Sequence, residues 1–465
     1  MLTICEGSPG ISRRAFLTAG SLGFGGLTLS SLLAGRAAAG ESAALTTGKS
    51  VIFLFQQGGP SQFETFDPKP DAPEAIRTVT GTIKTSIPGI QFGDTMPRLA
   101  KIAHKLTVVR SFQTNNGGHN IQPIVGADSL NANIGSLYSR VAGATRPETG
   151  LPTNIVLFPD AVCADAVKGK ARGDISATGD LGKAYAPFIP GAGGQLQQSM
   201  RLNVPEDRFA SRQQLLTQLD RLNRQAEAAG ELTRADDLQK QAYKVLLSGG
   251  VADALDLSRE DPKTVALYDT REYARADGWS KVSRGKSGFY TGHARALGKQ
   301  LLLARRLCEA GCGYVTIHDG YDGVWDMHAD ANNLNMKDGM EAVGPSFDHA
   351  VAAFVADLEA RGLQDKILLV ATGEMGRTPK INKNGGRDHW GRLAPLLLHG
   401  GGIPAGQVIG RSNRDGGEPA TGNLTPKHLI STILHALFDV GKLRVAPSMA
   451  QVARLAEHAP IPGLF

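Results

Sequence analysis

Short, continuous apolar runs recur along this chain, and each gives way to polar or glycine-rich residues. They occupy residues 51–55, 106–109, 155–158, 314–317, 367–371 and 395–399. Runs of this length are typical of strands buried on both faces, as in parallel sheets. Amphipathic helical patterns separate several of them. The alternation predicts an α/β fold whose largely parallel sheet is flanked by helices.

Two of the helical patterns have recognisable ends. Apolar residues spaced by three and four positions occupy residues 347–358, with Ser346 as the predicted N-cap and Gly362 just past the end. A second helix is predicted over residues 425–440, where Thr425 precedes a proline suited to a first turn. From about residue 205 to 310 the strand pattern disappears and Leu, Ala, Gln and Arg are frequent, which predicts a helical insertion.

Composition excludes several classes of protein. The chain has 465 residues, of which 41% are hydrophobic, and a formal net charge of +6. This apolar fraction excludes intrinsic disorder, and four cysteines are too few for a disulfide scaffold of this length. The first 39 residues hold three arginines and one glutamate, so +2 of the charge lies there and +4 remains. A charge so small gives no argument for nucleic-acid binding. We expect one large domain over residues 40–465.

The first 39 residues have the pattern of an export signal. Arg13 and Arg14 are followed by Phe16 and Leu17, then by an apolar run over residues 19–33 and three alanines at 37–39. This order predicts a twin-arginine signal peptide, removed after the translocase carries the folded protein to the periplasm or out of the cell. The alternative is an uncleaved anchor, but the run is shorter than the ~20 residues that a membrane span needs. We expect no stable span after signal removal.

Polar residues that bind metals follow two of the predicted strands. Ligands in open α/β sheets bind beyond the carboxyl ends of the strands, so these residues should lie in one crevice. Mixed carboxylate and imidazole donors suit a divalent metal; zinc, manganese and calcium are the candidates, although calcium prefers oxygen alone and zinc, manganese or iron fits better. The alternative is ordinary solvated turn residues. The predicted metal ligands are Asp326, His328, Glu374, Asp388 and His389.

Four further residues are catalytic candidates. Arg377 and Arg387 could offer forked donors to the oxygens of an anion. Ser61, in the turn after the first strand, is either a nucleophile, part of a backbone anion site or a turn cap. His119 follows the strand that ends at Val109 and is predicted to point into the same crevice.

Several motifs carry a resemblance to a known family. The most specific are residues 373–379, Gly-Glu-Met-Gly-Arg-Thr-Pro, and residues 386–390, Gly-Arg-Asp-His-Trp. Others are Trp-Asp-Met-His at 325–328, Phe-Asp-Pro-Lys-Pro at 66–70 and Leu-Leu-Leu-Ala-Arg-Arg-Leu at 301–307. With them the chain resembles, over nearly all of its mature length, the exported domain-of-unknown-function family 1501, which is assigned to the alkaline phosphatase and sulfatase-like superfamily.

The resemblance implies an alkaline phosphatase-like fold and a set of roles. Asp326 and His328 correspond to a metal-binding carboxylate and imidazole, Glu374 to a metal-binding Asp, and His389 to a late metal-binding His. The chain departs from the superfamily at two places: Gln56-Gln57 stand where it has one or two Asp, and its nucleophile falls near Asn116. Asp67 is a candidate replacement for the carboxylate, and Ser61 or Thr114 for the nucleophile.

These observations lead to one expected function and two alternatives. We expect an exported, metal-dependent hydrolase that acts on phosphate or sulfate esters of a small molecule or a glycan, with an activated water in place of the missing nucleophile. The first alternative is a non-catalytic protein of the same fold that binds an anion or polysaccharide. The second is an assembly partner of another exported protein that uses the helical insertion as its surface.

Overall fold

The computed structural model describes residues 45–147, 149–167, 170–190, 250–274, 284–318 and 323–465. The predicted signal peptide and the first part of the predicted insertion lie outside the described residues.

A mixed sheet of seven strands forms the centre of the described part of the molecule. Each predicted apolar run is a strand, within one or two residues at its ends. The strands are β1 Ser50–Phe55, β2 Thr82–Lys84, β3 Gln91–Gly93, β4 Thr107–Val109, β5 Asn154–Leu157, β6 Tyr314–His318, β7 Ile367–Thr372, β8 Gly376–Arg377, β9 His389–Trp390, β10 Leu396–Gly400 and β11 Gln407–Ile409. The spatial order in the main sheet is β11-β4-β10-β7-β1-β6-β5, and two small ribbons, β2-β3 and β8-β9, lie apart from it.

The sheet is largely parallel, as the sequence predicts. Strand β1 lies between β6 and β7 and runs parallel to both, with Leu54 opposite Ile317 on one side and Ala371 on the other. Strand β10 is antiparallel to both β4 and β7. The chain between β7 and β10 makes the β8-β9 ribbon instead of crossing over, so β10 enters the sheet from the end at which β7 leaves it. Strands β1, β4, β6 and β7 therefore end at the same edge.

Helices cover both faces of the sheet. The two apolar faces of β1 show this directly: Ile52 and Leu54 belong to one core, while Val51, Phe53 and Phe55 belong to the other. The helices are α1 Pro97–Lys101, α2 Ile134–Ala142, α3 Gly250–Leu255, α4 Pro262–Leu267, α5 Arg284–Glu309, α6 Met336–Ala360, α7 Pro426–Leu437, α8 Val440–Arg444 and α9 Ala450–Ala456. Helices α1, α5 and α6 contribute to the first core, and α2, α7 and α9 to the second.

Helix α6 starts eleven residues earlier than the sequence predicts. Its N-cap is Asn335, whose side chain accepts a hydrogen bond from the Asp338 amide at 2.8 Å. Pro345 lies inside the helix, and Ser346 is buried there, bonded to the Val343 carbonyl and His293. The predicted N-cap is therefore wrong, because a Pro-Ser pair that suits a helix start lies here within a continuous helix. The predicted end is correct, with Gly362 at φ +65° just beyond it.

The described part of the predicted insertion, residues 250–274 and 284–310, contains helices and turns without strands. Its longest helix, α5, contacts α6 and β6, and Leu297, Leu301 and Leu307 are buried in the first core. This helix therefore belongs to a layer against the main sheet. Within the described ranges, no helix combines the length and the apolar character that crossing a membrane requires.

Candidate metal centre

Loops that leave the carboxyl edge of the sheet bring five predicted residues together. His119 follows β4, Asp326 and His328 follow β6, and Glu374 follows β7. His389 lies on the short strand β9, which pairs with β8 directly after Glu374. The edge is where an α/β sheet places its ligands, because parallel strands deliver successive loops to the same side.

The carboxylate of Asp326 is the centre of the cluster. It is 2% exposed, and the Nε2 atoms of three imidazoles face it. Oδ2 lies 3.0 Å from Nε2 of His119 and 3.1 Å from Nε2 of His328, whereas Oδ1 lies 3.1 Å from Nε2 of His389. The ligand atoms of His119, Asp326 and His389 all lie within 4.8 Å of one another, which makes them a possible metal site.

The second nitrogens of two of these rings have acceptors of their own. Nδ1 of His119 lies 2.9 Å from Oε1 of Glu374, and Nδ1 of His389 lies 3.1 Å from the carbonyl oxygen of Gly117. Neither a carboxylate nor a carbonyl can donate, so each Nδ1 carries the proton. In the neutral rings both Nε2 lone pairs then point at Asp326. Histidines that bind metals are oriented in this way, with one nitrogen donating to a carboxylate or carbonyl and the other free for the cation.

Electrostatics favour the charged forms of two members of the cluster, Asp326 and His119, when no cation is present. Burial by itself lowers the pKa of His119, but its hydrogen bonds to Asp326 and Glu374 outweigh burial and the pKa is raised. Burial by itself raises the pKa of Asp326, but hydrogen bonds from the three histidines, together with Arg377, lower it well below its usual range. A buried anion surrounded by imidazoles has the charge that a divalent cation requires.

His328 has a different environment from the other two rings. Its Nε2 also lies 3.0 Å from Nδ2 of Asn333, and its Nδ1 lies 3.8 Å from Oδ2 of Asp330. Its side chain is 24% exposed and that of His389 is 28% exposed, against 8% for His119. The open side of the cluster is therefore formed by His328 and His389. Asn333 was not a predicted site residue, although the pair Asn332-Asn333 stands only a few residues after His328.

Glu374 supports the cluster from behind. It is fully buried, and its carboxylate accepts the Gly58 amide at 2.9 Å in addition to its contact with His119. Gly58 has a φ of +119°, and a side-chain carbon there would lie 2.7 Å from the Asp326 amide. Glycine is required at this position, because the turn after β1 passes directly against the loop that carries Asp326.

The donors of Arg377 are bonded within the protein. Its Nη2 donates to Asp326 at 2.8 Å and to the carbonyls of Gly58 and Trp325, and its Nε donates to the Gly59 carbonyl at 2.8 Å. Its Nη1 donates to the carbonyl of Arg387 at 3.1 Å. The side chain is fully buried. Arg377 thus connects the turn after β1 to Asp326, and the expected forked binding of an anion would require several of these bonds to break.

Arg387 and Ser61 belong to a separate buried network around Glu64. Nη2 of Arg387 lies 3.1 Å from Oε1 of Glu64, and the hydroxyl of Ser61 donates to Oε2 of the same carboxylate. Arg387 also donates to four backbone carbonyls and lies 4.2 Å over the ring of Phe63. Ser61 and Arg387 are thus joined to each other through Glu64, and their described contacts do not include the imidazole cluster.

Asp388 lies beside the cluster without facing it. Its side chain is exposed, and its carboxylate accepts a hydrogen bond from Nδ2 of Asn382 at 3.0 Å. Its backbone pairs with Thr378 across the β8-β9 ribbon. Asp67, the candidate replacement for the missing strand-end carboxylate, forms ion pairs with Lys69 and Arg110. Asn116, near which the resemblance implies the nucleophile of the superfamily, donates to the carbonyl of Glu374 at 3.3 Å and to Oδ1 of Asn120 at 2.8 Å.

Several solved structures have a distant likeness to this chain. A PsFucS1 sulfatase from Pseudoalteromonas sp. is 13% identical, with a TM-score of 0.34 over 83% of this chain and 67% of that chain. A phosphonate monoester hydrolase of Agrobacterium radiobacter is 10% identical, with a TM-score of 0.30 over 84% and 74%. An alkaline phosphatase from the Antarctic bacterium TAB5 is 14% identical, with a TM-score of 0.26 over 80% and 96%. Likeness at this level says nothing about the activity of this chain.

Sequence similarity identifies the family of this chain. No curated protein matches it. The sequence model of one family, described as a protein of unknown function (DUF1501), matches residues 48–455. This match extends from the start of the first strand to the last helix and includes every residue of the cluster. The chain belongs to the DUF1501 family.

Proposed function

We propose that this protein binds a divalent cation between Nε2 of His119, Nε2 of His389 and the carboxylate of Asp326, and that it uses this cation to hydrolyse phosphate or sulfate esters. The observation that carries the proposal is the direction of the two imidazoles. Each Nδ1 has an acceptor, so each Nε2 is the nitrogen that faces a buried carboxylate oxygen, only 3.0–3.1 Å away. So short a separation needs either a proton on Nε2 or a cation between the two atoms, and a bound cation would take the place of the proton.

The donor set fits zinc best. Two imidazole nitrogens and one carboxylate oxygen are the usual donors of catalytic zinc, and manganese and iron are the next candidates. His328 is the candidate for a fourth ligand, because its Nε2 lies 3.1 Å from the same carboxylate. Glu374 then acts on the ring of His119 and does not itself bind the metal, in contrast to the role that the sequence predicts for it.

The proposed chemistry combines the polarising effect of a bound cation with the orienting roles of groups in the chain. A bound divalent cation polarises an ester oxygen and makes a water molecule more acidic. Glu374 holds the proton on Nδ1 of His119, and the Gly117 carbonyl does the same for His389. A substrate reaches the cluster from the side of His328 and His389, whose rings are the more exposed. The choice of phosphate and sulfate esters as substrates rests on the resemblance of the two long motifs to the alkaline phosphatase and sulfatase-like superfamily.

Metal content and ester hydrolysis together test the proposal. Protein purified without chelators should contain about one divalent metal per chain and should hydrolyse p-nitrophenyl phosphate or p-nitrophenyl sulfate. His389→Ala should lose the metal and the turnover while remaining folded by circular dichroism. His104→Ala is the matched control, because that exposed imidazole lies outside the cluster and bonds to Ser86. Metal content unchanged in the His389→Ala protein would contradict the site.

A non-catalytic binding protein is the second candidate, and a specific observation favours it. Among the described contacts of the cluster there is no hydroxyl or thiol, and both nearby motif arginines are bonded within the protein. A full complement of metal without turnover of any ester, in protein loaded in turn with zinc, manganese, calcium and magnesium, would decide for binding alone. For both candidates we propose export by the twin-arginine translocase to the periplasm or beyond, since that route carries folded proteins.

A further inference from the structure

A cavity of about 400 Å³ lies among residues that have no part in the metal centre. It is bounded by the segment 67–72, by Gly89 and Gln91 near the β2-β3 hairpin, by Arg110 after β4 and by Arg414. Binding pockets for small organic molecules have volumes of about 300–1,000 Å³, whereas a water molecule takes about 30 Å³. The cavity is therefore the size of a sugar derivative and much larger than a bare inorganic ion.

The lining has an excess of positive charge that the protein only partly neutralises. Lys69, Arg110 and Arg414 are opposed by Asp67 and Asp71. Asp67 is 5% exposed and already accepts the hydroxyl of Ser412, besides its ion pairs with Lys69 at 3.3 Å and Arg110 at 3.5 Å. This buried carboxylate holds the two cations in place, and Arg414 is exposed at the rim.

Arg110 has an incomplete set of acceptors. Its Nη2 donates to the Gln91 carbonyl at 3.0 Å and its Nη1 faces Asp67, but its buried Nε has no hydrogen-bond partner among the described residues. Leaving a buried donor without a partner is unfavourable, more so when the group is charged. Because Arg110 also lines the cavity, an anion bound there would lie beside a guanidinium that is only partly paired.

Lys69 is held in a backbone conformation that few residues adopt. Its φ is +50°, although it is neither glycine nor asparagine, and it stands between Pro68 and Pro70. Its carbonyl accepts the amide of Ala72 at 3.0 Å, which closes the turn. Unusual backbone conformations of this kind persist where the surrounding structure requires them, and binding sites are a common case.

We propose that this cavity binds an organic anion of about the size of a monosaccharide, through a sulfate, phosphate or carboxylate group that pairs with Arg110, Lys69 and Arg414. The prolines at 68 and 70 offer an apolar wall to the body of the ligand, and the exposed carboxylate of Asp71 offers an acceptor to its hydroxyls. This site does not depend on the metal centre, since the two share no residue.

Calorimetric titration of the full-length mature protein, in the presence of a chelator, tests the proposal. The probes are glucose 6-phosphate, glucose 6-sulfate and glucuronate, with glucose as the neutral reference. At least one charged probe should bind about tenfold or more tightly than glucose, because charge-assisted hydrogen bonds are worth that much. Which of the three binds best distinguishes phosphate, sulfate and carboxylate.

Variants locate the binding. Arg414→Ala and Lys69→Met should each lower the affinity for the best probe about tenfold, since each removes one charged donor. Arg411→Ala is the matched control, because Arg411 is an exposed arginine of the same loop as Arg414 but does not line the cavity. Thermal melts confirm that each variant is folded. His389→Ala should bind the probe as the wild type does, so that failure of the metal centre and failure of this site give different results.

The proposal would be overturned by no binding of any charged probe, by equal binding of glucose and the charged probes, or by an affinity unaffected by both Arg414→Ala and Lys69→Met. An affinity lost in Arg411→Ala to the same degree would also contradict it, because the effect would then follow the general charge of the loop.

Discussion

Arg387 illustrates how a motif residue can serve the structure that surrounds a site. Its guanidinium and the Glu64 carboxylate are both buried, and the remaining donors of the arginine reach carbonyls of Ile76, Arg77, Thr378 and Pro379. This ties the residues just before β9 to the segment before β2. A charge pair without access to water is sensitive to the removal of one partner, because the other is then left uncompensated.

Arg387→Met should therefore lower the free energy of unfolding by about 3–5 kcal/mol. Denaturant melts measure the change, and metal content per folded molecule should stay the same. The control is Arg392→Met, which removes an ion pair with Glu418 whose side chains are 63% and 51% exposed; pairs of this kind contribute at most about 1 kcal/mol. A stable Arg387→Met protein with normal metal content and no turnover would instead support the oxyanion role that the sequence predicts.

Sequence reasoning about single residues succeeds where spacing and strand ends decide the outcome. The convergence of four residues could be expected, because each of their motifs either follows a predicted strand or continues from a motif that does. These residues are Asp326, His328, Glu374 and His389. The roles of Arg377 and Arg387 could not be predicted, because each depends on partners more than 300 positions away in the chain, such as the carbonyls of Gly59 and Ile76. Asp388 adjoins His389 but, on a short ribbon, its side chain points away from its neighbour.

At the scale of elements, the strands are easier to predict than the helix ends. Each apolar run is a strand because it is buried on both faces, whereas a proline leaves the start of α6 ambiguous. The pairing of α5 with α6 also lay beyond sequence reasoning. Besides their shared apolar core, an ion-pair network joins these helices: Glu260 contacts Arg305 and Arg306 of α5 and Arg361 just after α6.

The network should make the pairing of these helices sensitive to acid. The Glu260 carboxylate is 7% exposed; burial by itself raises its pKa, but hydrogen bonds from Arg306 and Arg305 lower it to about 2. An unfolded chain has a glutamate pKa of about 4.3. The lowered folded-state pKa means that the stabilisation is fully present above about pH 4.5 and is lost as the pH falls towards 2.

Glu260→Gln should thus be less stable than the wild type by about 1.5–3 kcal/mol at neutral pH, the range for hydrogen bonds to charged groups. The difference should shrink as the pH falls from 4.5 to 2, and urea melts at several pH values measure it. Glu341→Gln, an exposed acid on α6, is the control and should follow the wild type throughout. A constant difference at every pH would show that Glu260 acts through packing and not through its charge.

At the scale of the whole molecule, the proposed metal centre depends on several distant segments. It draws on loops after β4, β6 and β7 and on the β8-β9 ribbon, while Gly58 after β1 supports it through Glu374. None of these segments holds all of its residues, so the proposed cation could be bound there only after the sheet has formed. The proposed export of the folded chain would allow such a cation to be bound before the membrane is crossed.

Replacing Arg13 and Arg14 by lysine should therefore keep the precursor in the cytoplasm. The twin-arginine translocase reads the arginine pair itself, so a change that preserves charge should still abolish recognition. Arg36→Lys is the matched control, because it makes the same chemical change in the same leader outside the pair. Cell fractionation followed by intact-mass measurement gives the result: wild type and Arg36→Lys should be exported with a mature N-terminus near Gly40, ten residues before β1 begins at Ser50. Export of the double variant, or exported wild type that still begins at Met1, would show that residues 1–39 are not a cleaved twin-arginine signal.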